Sequence, residues 1–145
     1  MINLLTDEQW TALTRLKSFL SDSQPILVLQ GQAGTGKTYL MNEFVKYLDT
    51  IKFDYVLCAP THKAKLMLEK STLSKAITLH NLLSLSPKIE IFKLNYKQLK
   101  FKVGDKQQIP FKGLVIVDES SMITDDLYKL LTETCANYNS KILFI

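Results

Sequence analysis

An α/β fold, with a parallel sheet covered by helices on both faces, is predicted by three observations on this 145-residue chain. Short apolar runs alternate with stretches of helical spacing. A glycine-rich loop, "GQAGTGKT", joins the first of these runs to a helix. The one long segment that departs from the alternation has period two, which predicts a small inserted β-hairpin outside the main sheet.

The first twenty residues read as an amphipathic helix, with Trp10, Leu13, Leu16 and Leu20 at helical spacing. "TDEQ" (Thr6–Gln9) is a weak capping signal with acids in the first turn, and "SDSQP" stops the helix. The apolar run "ILVLQ" (Ile26–Gln30) predicts a strand buried on both faces. After the glycine loop a helix runs from Lys37 to about Leu48. "YVLCA" (Tyr55–Ala59), "GLVIVDE" (Gly113–Glu119) and "KILFI" (Lys141–Ile145) supply three further buried strands, separated by helical stretches near Lys63–Leu68 and Asp125–Ala136. The inserted hairpin spans residues 84–112, and Gly104–Asp105 fits its two-residue turn. "KILFI" stops in mid-strand, at the edge where open α/β sheets hold their ligands. A piece of a longer protein is therefore expected.

Composition narrows the function classes. The chain is 46% hydrophobic and 22% charged, enough to bury a core. No apolar stretch is long enough to span a bilayer, and "MINLLTDEQW" lacks the features of a secretory signal. No membrane partner is expected. Cys58 and Cys135 lie inside apolar runs, too few and too far apart for a disulfide or metal framework, so buried free thiols in a cytoplasmic setting are predicted. The net charge of +4 is unevenly spread: residues 60–113 carry eleven lysines against Glu69, Glu90 and Asp105. Such a basic segment suits a polyanion, with a solvated lysine-rich surface as the alternative.

"GQAGTGKT" (Gly31–Thr38) matches G-x-x-x-x-G-K-[ST] between a strand and a helix, the context in which that pattern holds phosphates. Gly31, Gly34 and Gly36 allow successive amides of Gln32, Ala33 and Thr35 to converge on phosphate oxygens. The following helix points its positive end at the same anion. Lys37 is expected to reach the β- and γ-phosphates of ATP, and Thr38 to hold Mg2+. In "LVIVDES", four apolar residues carry Asp118 to the end of a strand, where it can bind the same Mg2+. Glu119 beside it is the candidate general base for an attacking water. The paired acid suits a hydrolase.

The set "GQAGTGKT", "APTHKAK", "TLHNLL" and "VIVDESSM", in that order, resembles the first motor domain of superfamily 1 helicases, most closely the RecD/Dda branch (subgroup B). The resemblance covers nearly the whole chain and implies a RecA-like P-loop NTPase domain over 1–145 (domain 1A), cut off after the fourth strand, with 84–112 as a pin-like domain 1B. It implies that Gln9, in "LLTDEQ", reads the adenine edge. The alternative there is a surface glutamine. The resemblance also places Thr61, His62 and Lys63 of "APTHKAK", and Thr78 and His80 of "TLHNLL", against single-stranded DNA. For His80 a capped, half-buried histidine remains the alternative. In the pin-like hairpin, Phe92, Tyr96 and Phe101 are interleaved with Lys93, Lys97, Lys100 and Lys102. Aromatic faces can stack bases while lysines follow the backbone, and at least one of the rings is expected to pack on the domain instead. Ser120 or Ser121 is a candidate relay from the acid pair, and Met122 reads as core.

The departures from the family matter. No glutamine sensor motif follows the fourth strand, and no second motor domain with its arginine finger is present. Arg15, the only arginine, precedes the phosphate loop and is no plausible finger. The resemblance thus implies an ATP-dependent helicase motor travelling 5′ to 3′ on single-stranded DNA, of which these residues alone bind nucleotide but hydrolyse it poorly and unwind nothing. A non-catalytic nucleotide- and DNA-binding accessory module is the alternative. A nucleotide kinase is disfavoured, because one arginine cannot furnish the arginine-bearing lids such enzymes use.

Overall fold

The computed structural model describes residues 5–87, 101–103 and 107–145, with the backbone alone at 86, 87 and 101–103. Helix α1 (Asp7–Phe19) is followed by β1 (Ile26–Val28), α2 (Lys37–Ile51), β2 (Tyr55–Ala59), α3 (His62–Thr72) and β3 (Ala76–Thr78). A one-turn helix α4 (Leu79–Leu82) leads to β4 (Leu85–Pro87) and β5 (Phe101–Val103). The chain then forms β6 (Leu114–Val117), a 3-10 turn (Ser120–Met122), α5 (Asp125–Asn137) and β7 (Lys141–Phe144).

Five strands form one parallel sheet in the order β1-β7-β6-β2-β3. Alternation of side chains along each strand divides the core into two layers. Leu57, Leu114, Ile116 and Leu143 face α1, α2 and α3, where Leu16, Phe19, Phe44 and Leu48 are buried. Cys58, Val115, Val117, Ile142 and Phe144 face the other way, onto α4, α5 and the Ile109 segment. The predicted α/β fold, with helices on both faces, is what the chain adopts.

Several local expectations need correction. The strand after α1 was expected to be buried on both faces, but β1 is an edge strand and Val28 is 53% exposed. Its apolarity serves one covered face. The strand β3 was not anticipated: "AIT" is too short to show a period, and it forms because β2 offers an open edge beside it. Trp10 lies outside the buried stripe, which is Leu13, Leu16 and Phe19. Met122, read as core, is exposed.

A separate two-stranded antiparallel sheet pairs β4 with β5, Leu85 opposite Val103 and Pro87 opposite Phe101. An inserted hairpin outside the main sheet is therefore present. Its pairing differs from the expected one: β5 pairs upstream with β4, and residues 107–110 form no strand. The Gly104–Asp105 turn, Phe92 and Tyr96 lie outside the described residues, as does the side chain of Phe101.

Both thiols are buried and unpaired, as expected. Burial pushes Cys58 well above the usual thiol range and Cys135 up to about 12, so neither is a ready nucleophile. Among the described residues, no helix is long and apolar enough to cross a membrane.

Candidate nucleotide and nucleic-acid site

The carboxyl ends of β1 and β6 flank β7, and each releases the chain into a functional segment. From β1 the chain enters the glycine loop. Gly34 and Gly36 sit at φ of 80° and 81°, a left-handed backbone that a side chain would strain. A Cβ at Gly31 would come within 2.9 Å of Thr35 Oγ1. Close approach is thus built into the loop.

α2 starts at Gly36 with no side-chain cap and no acid in its first turn. Helices α1, α3 and α5 begin instead on Thr6, Thr61 and Thr124, whose hydroxyls each accept an amide of the first turn. The free amides of α2 point at the loop, where its dipole favours an anion. Lys37 donates from Nζ to the carbonyl of Gly31, which folds the ammonium over the loop. Thr35 closes the turn from its own side, Oγ1 donating to Gln32 O at 2.8 Å.

From β6 the chain enters the acid pair. Asp118 N donates to Cys58 O at 3.0 Å, continuing the ladder one residue past the strand and fixing the Asp118 backbone. Glu119 then adopts φ 52°, ψ 41°, a left-handed conformation costly for a residue with a side chain. Ser120 N donates to Ile145 O at 2.9 Å and holds the turn from the far side. Burial raises the Asp118 carboxyl above the usual aspartate range, and the neighbouring Glu119 charge adds to this, while an amide bond at Glu119 and the Lys37 charge oppose it.

Loop and acids converge on one cavity of about 520 Å3, lined among others by Gly31, Lys37, Thr38, Asp118, Glu119 and Ser121. Lys37, Thr38, Asp118 and Glu119, four residues from two distant segments of the sequence, are brought together. Gln32 and Ala33 are exposed on the outer turn of the loop. Sequence reasoning missed Met41, Leu68, Ser71 and Ile145, which also line the cavity. No motif marks them, because helices α2 and α3 deliver them by packing.

These residues fit a Mg2+–nucleotide. A desolvated carboxylate opposite a threonine hydroxyl at an uncapped helix start offers two oxygen ligands and leaves the rest to phosphates and water. Among the described residues, no group of three or more His, Cys, Asp and Glu could hold a metal by itself. That matches an ion carried mainly by its nucleotide.

Gln9 is drawn to the same place from α1, with Nε2 donating to Thr35 O at 3.3 Å. A Cβ on Gly36 would collide with this amide. Arg15 lies farther along α1, bound to Asp22 Oδ2 at 2.7 Å and to Gln24 Oε1 at 2.5 Å, and does not line the cavity.

The residues predicted to meet DNA are less uniformly placed. Thr61 caps α3, its hydroxyl accepting from Ala64 N at 3.1 Å, and it presents His62 and Lys63 exposed in the first turn. Thr78 is 4% exposed, and its hydroxyl accepts from Asn81 N at 3.2 Å. Contact between this buried cap and a strand of DNA is corrected to an indirect part, fixing the turn that carries His80. His80 itself is half-buried. The hairpin is rooted beside it: Gln108 N donates to Leu82 O at 2.9 Å, and Ile109 packs with Leu79, Leu82 and Leu83.

Comparison with known proteins agrees with this geometry. A family model described as an AAA domain matches residues 18–145. The chain is 32% identical to an uncharacterized protein of Acanthamoeba polyphaga mimivirus, over 97% of this chain and 31% of that protein. It is 30% identical to the ATP-dependent DNA helicase dda of Enterobacteria phage T4, over 90% of this chain and 29% of the helicase. With the ATP-dependent RecD2 DNA helicase of Deinococcus radiodurans it shares 31% identity, over 85% of this chain and 15% of the relative. The chain thus spans less than a third of the length of these relatives.

Proposed function

Because the chain belongs to the AAA-domain family, in the RecD/Dda-like branch of superfamily 1 helicases, we propose that it is the ATP-binding first motor domain of a DNA helicase. The observation that carries this reading is the single cavity shared by the phosphate loop and the Asp118–Glu119 pair. Lys37 and the loop amides bind the β- and γ-phosphates, and Thr38 and Asp118 hold Mg2+. When bound, the ion neutralises charge on the transferring phosphoryl group. Glu119 orients and deprotonates the attacking water, and Gln9 reads the adenine.

Single-stranded DNA passes the sheet edge at His62 and Lys63 and then His80. Phe92, Tyr96 and Phe101 of the inserted hairpin meet its bases, and travel is 5′ to 3′. Thr61 and Thr78 act by capping the turns that present these side chains.

These residues alone hydrolyse ATP slowly, since no arginine of the chain reaches the phosphates. A finger of that kind contributes ~10^3–10^5 in rate at comparable sites. A second motor domain supplies it in the working protein. Calorimetry of the chain with MgATP tests the reading directly. Binding that disappears in Lys37→Ala supports it, and undiminished binding by that variant sinks it.

A further inference from the structure

The Gln9 side chain makes two hydrogen bonds besides any to a ligand, and together they fix which way its amide faces. Gln9 Oε1 accepts from the backbone N–H of Thr6 at 3.1 Å, and Nε2 donates to the carbonyl of Thr35 at 3.3 Å. An N–H can only donate and a carbonyl can only accept, so the reversed amide would lose both bonds. The Thr6 hydroxyl makes a different bond: it accepts from Gln9 N at 3.2 Å and caps the helix.

An amide carries two N–H donors and two acceptor lone pairs. Thr6 and Thr35 consume one of each. What remains is one lone pair on Oε1 and one N–H on Nε2, side by side. Adenine presents a donor at N6 and an acceptor at N7, the complement of that remainder. Guanine presents acceptors at both O6 and N7, so one acceptor would face another.

We propose that the backbone N–H of Thr6 and the carbonyl of Thr35 are the specificity-setting partners of Gln9, locking its amide in the orientation that admits adenine and rejects guanine. The inference rests on the nucleotide reading above and adds to it a source of base selectivity. Gly36 belongs to the device, since only a residue without Cβ leaves room for the amide against the loop. Because Thr35 lies within the phosphate loop, the same amide ties the base end of the nucleotide to the phosphate end.

The test separates the two functions of Thr6. Thr6→Ala removes the hydroxyl cap and keeps the N–H. Thr6→Pro removes both, and the native φ of −67° suits proline. Binding of MgATP and MgGTP is followed on the full chain through Trp10, its only tryptophan, half-exposed beside Gln9. Wild type is expected to prefer ATP by roughly tenfold or more, the discrimination of a bidentate base contact. Thr6→Ala should keep that preference. Thr6→Pro and Gln9→Ala should each lose it, and the double variant should lose no more than either.

An ATP preference surviving in Thr6→Pro as it does in Thr6→Ala overturns the inference and leaves the phosphate site standing. Equal binding of both nucleotides by wild type overturns it too. Failure of wild type to bind either nucleotide sinks the underlying reading instead. If Thr6→Pro does not fold, an ester in place of the residue-6 amide removes the N–H alone, and the same outcomes decide.

Discussion

The nucleotide end and the DNA end of this domain are built on different principles. At the nucleotide end, positive-φ glycines, an uncapped helix and a desolvated aspartate all lie within one cavity. Each is locally unfavourable, and each becomes favourable only when a magnesium-bound phosphate arrives. At the DNA end, Thr61 and Thr78 satisfy their helix starts, and the cationic side chains stand in solvent. Nothing there is strained. A small, rigid, highly charged ligand rewards a preformed cradle, whereas a sliding polymer must be held by contacts that are easily made and released.

The largest contrast should come from Asp118→Ala. At the nucleotide end it should abolish the strengthening of ATP binding by Mg2+, roughly tenfold or more, in calorimetry run with and without the metal. Single-stranded DNA binding should stay within about twofold of wild type. Equal losses at both ends would break the comparison.

Salt sharpens it from the other side. DNA affinity should fall linearly on a logarithmic salt plot, and Lys63→Ala should reduce the slope by about 0.7, the single-strand value for one phosphate contact. MgATP binding in that variant should not move. DNA binding that ignores salt would refute a backbone-following surface.

A pH effect separates strain from function. Because burial raises the folded pKa of Asp118, its ionised form costs stability at neutral pH. The contribution of this group is fully present below the usual aspartate pKa and lost as pH rises through the raised one. Asp118→Asn should therefore raise the Tm of the metal-free chain by about one or two degrees at pH 7, and the gain should vanish in acid. Lys63→Ala should leave Tm unchanged.

The smallest effect lies outside both ends. Leu73 closes α3 at φ 55° while 89% exposed, so Leu73→Gly should stabilise by about 0.5–1 kcal/mol in denaturant melts without altering either ligand. A changed nucleotide or DNA affinity would show that α3 communicates with the sites.

The two ends were also unequally legible. "GQAGTGKT" and "LVIVDES" announce their chemistry in consecutive residues, because a phosphate cradle is a backbone conformation and a backbone conformation demands particular neighbours in sequence. The capping box at Thr6 and Gln9 was legible for the same reason. Thr78 was misread because "TLHNLL" cannot say whether a hydroxyl faces solvent or its own helix. The inserted segment misled through Gly104–Asp105, a plausible turn, while the observed pairing joins Leu85–Pro87 to Phe101–Val103 across residues 88–100.

Sequence alone determined the fold class, the strands β2, β6 and β7, and the identity of the phosphate and acid residues, since each depends on a local period or on a backbone that only certain residues permit. Tertiary structure decided the rest. It placed β1 at an edge, created β3 beside β2, brought Met41, Leu68, Ser71 and Ile145 to the cavity wall, and set Gln9 against the carbonyl of Thr35. Those features are contacts between segments far apart in the chain, and no pattern of neighbouring residues encodes the distance between two packed helices.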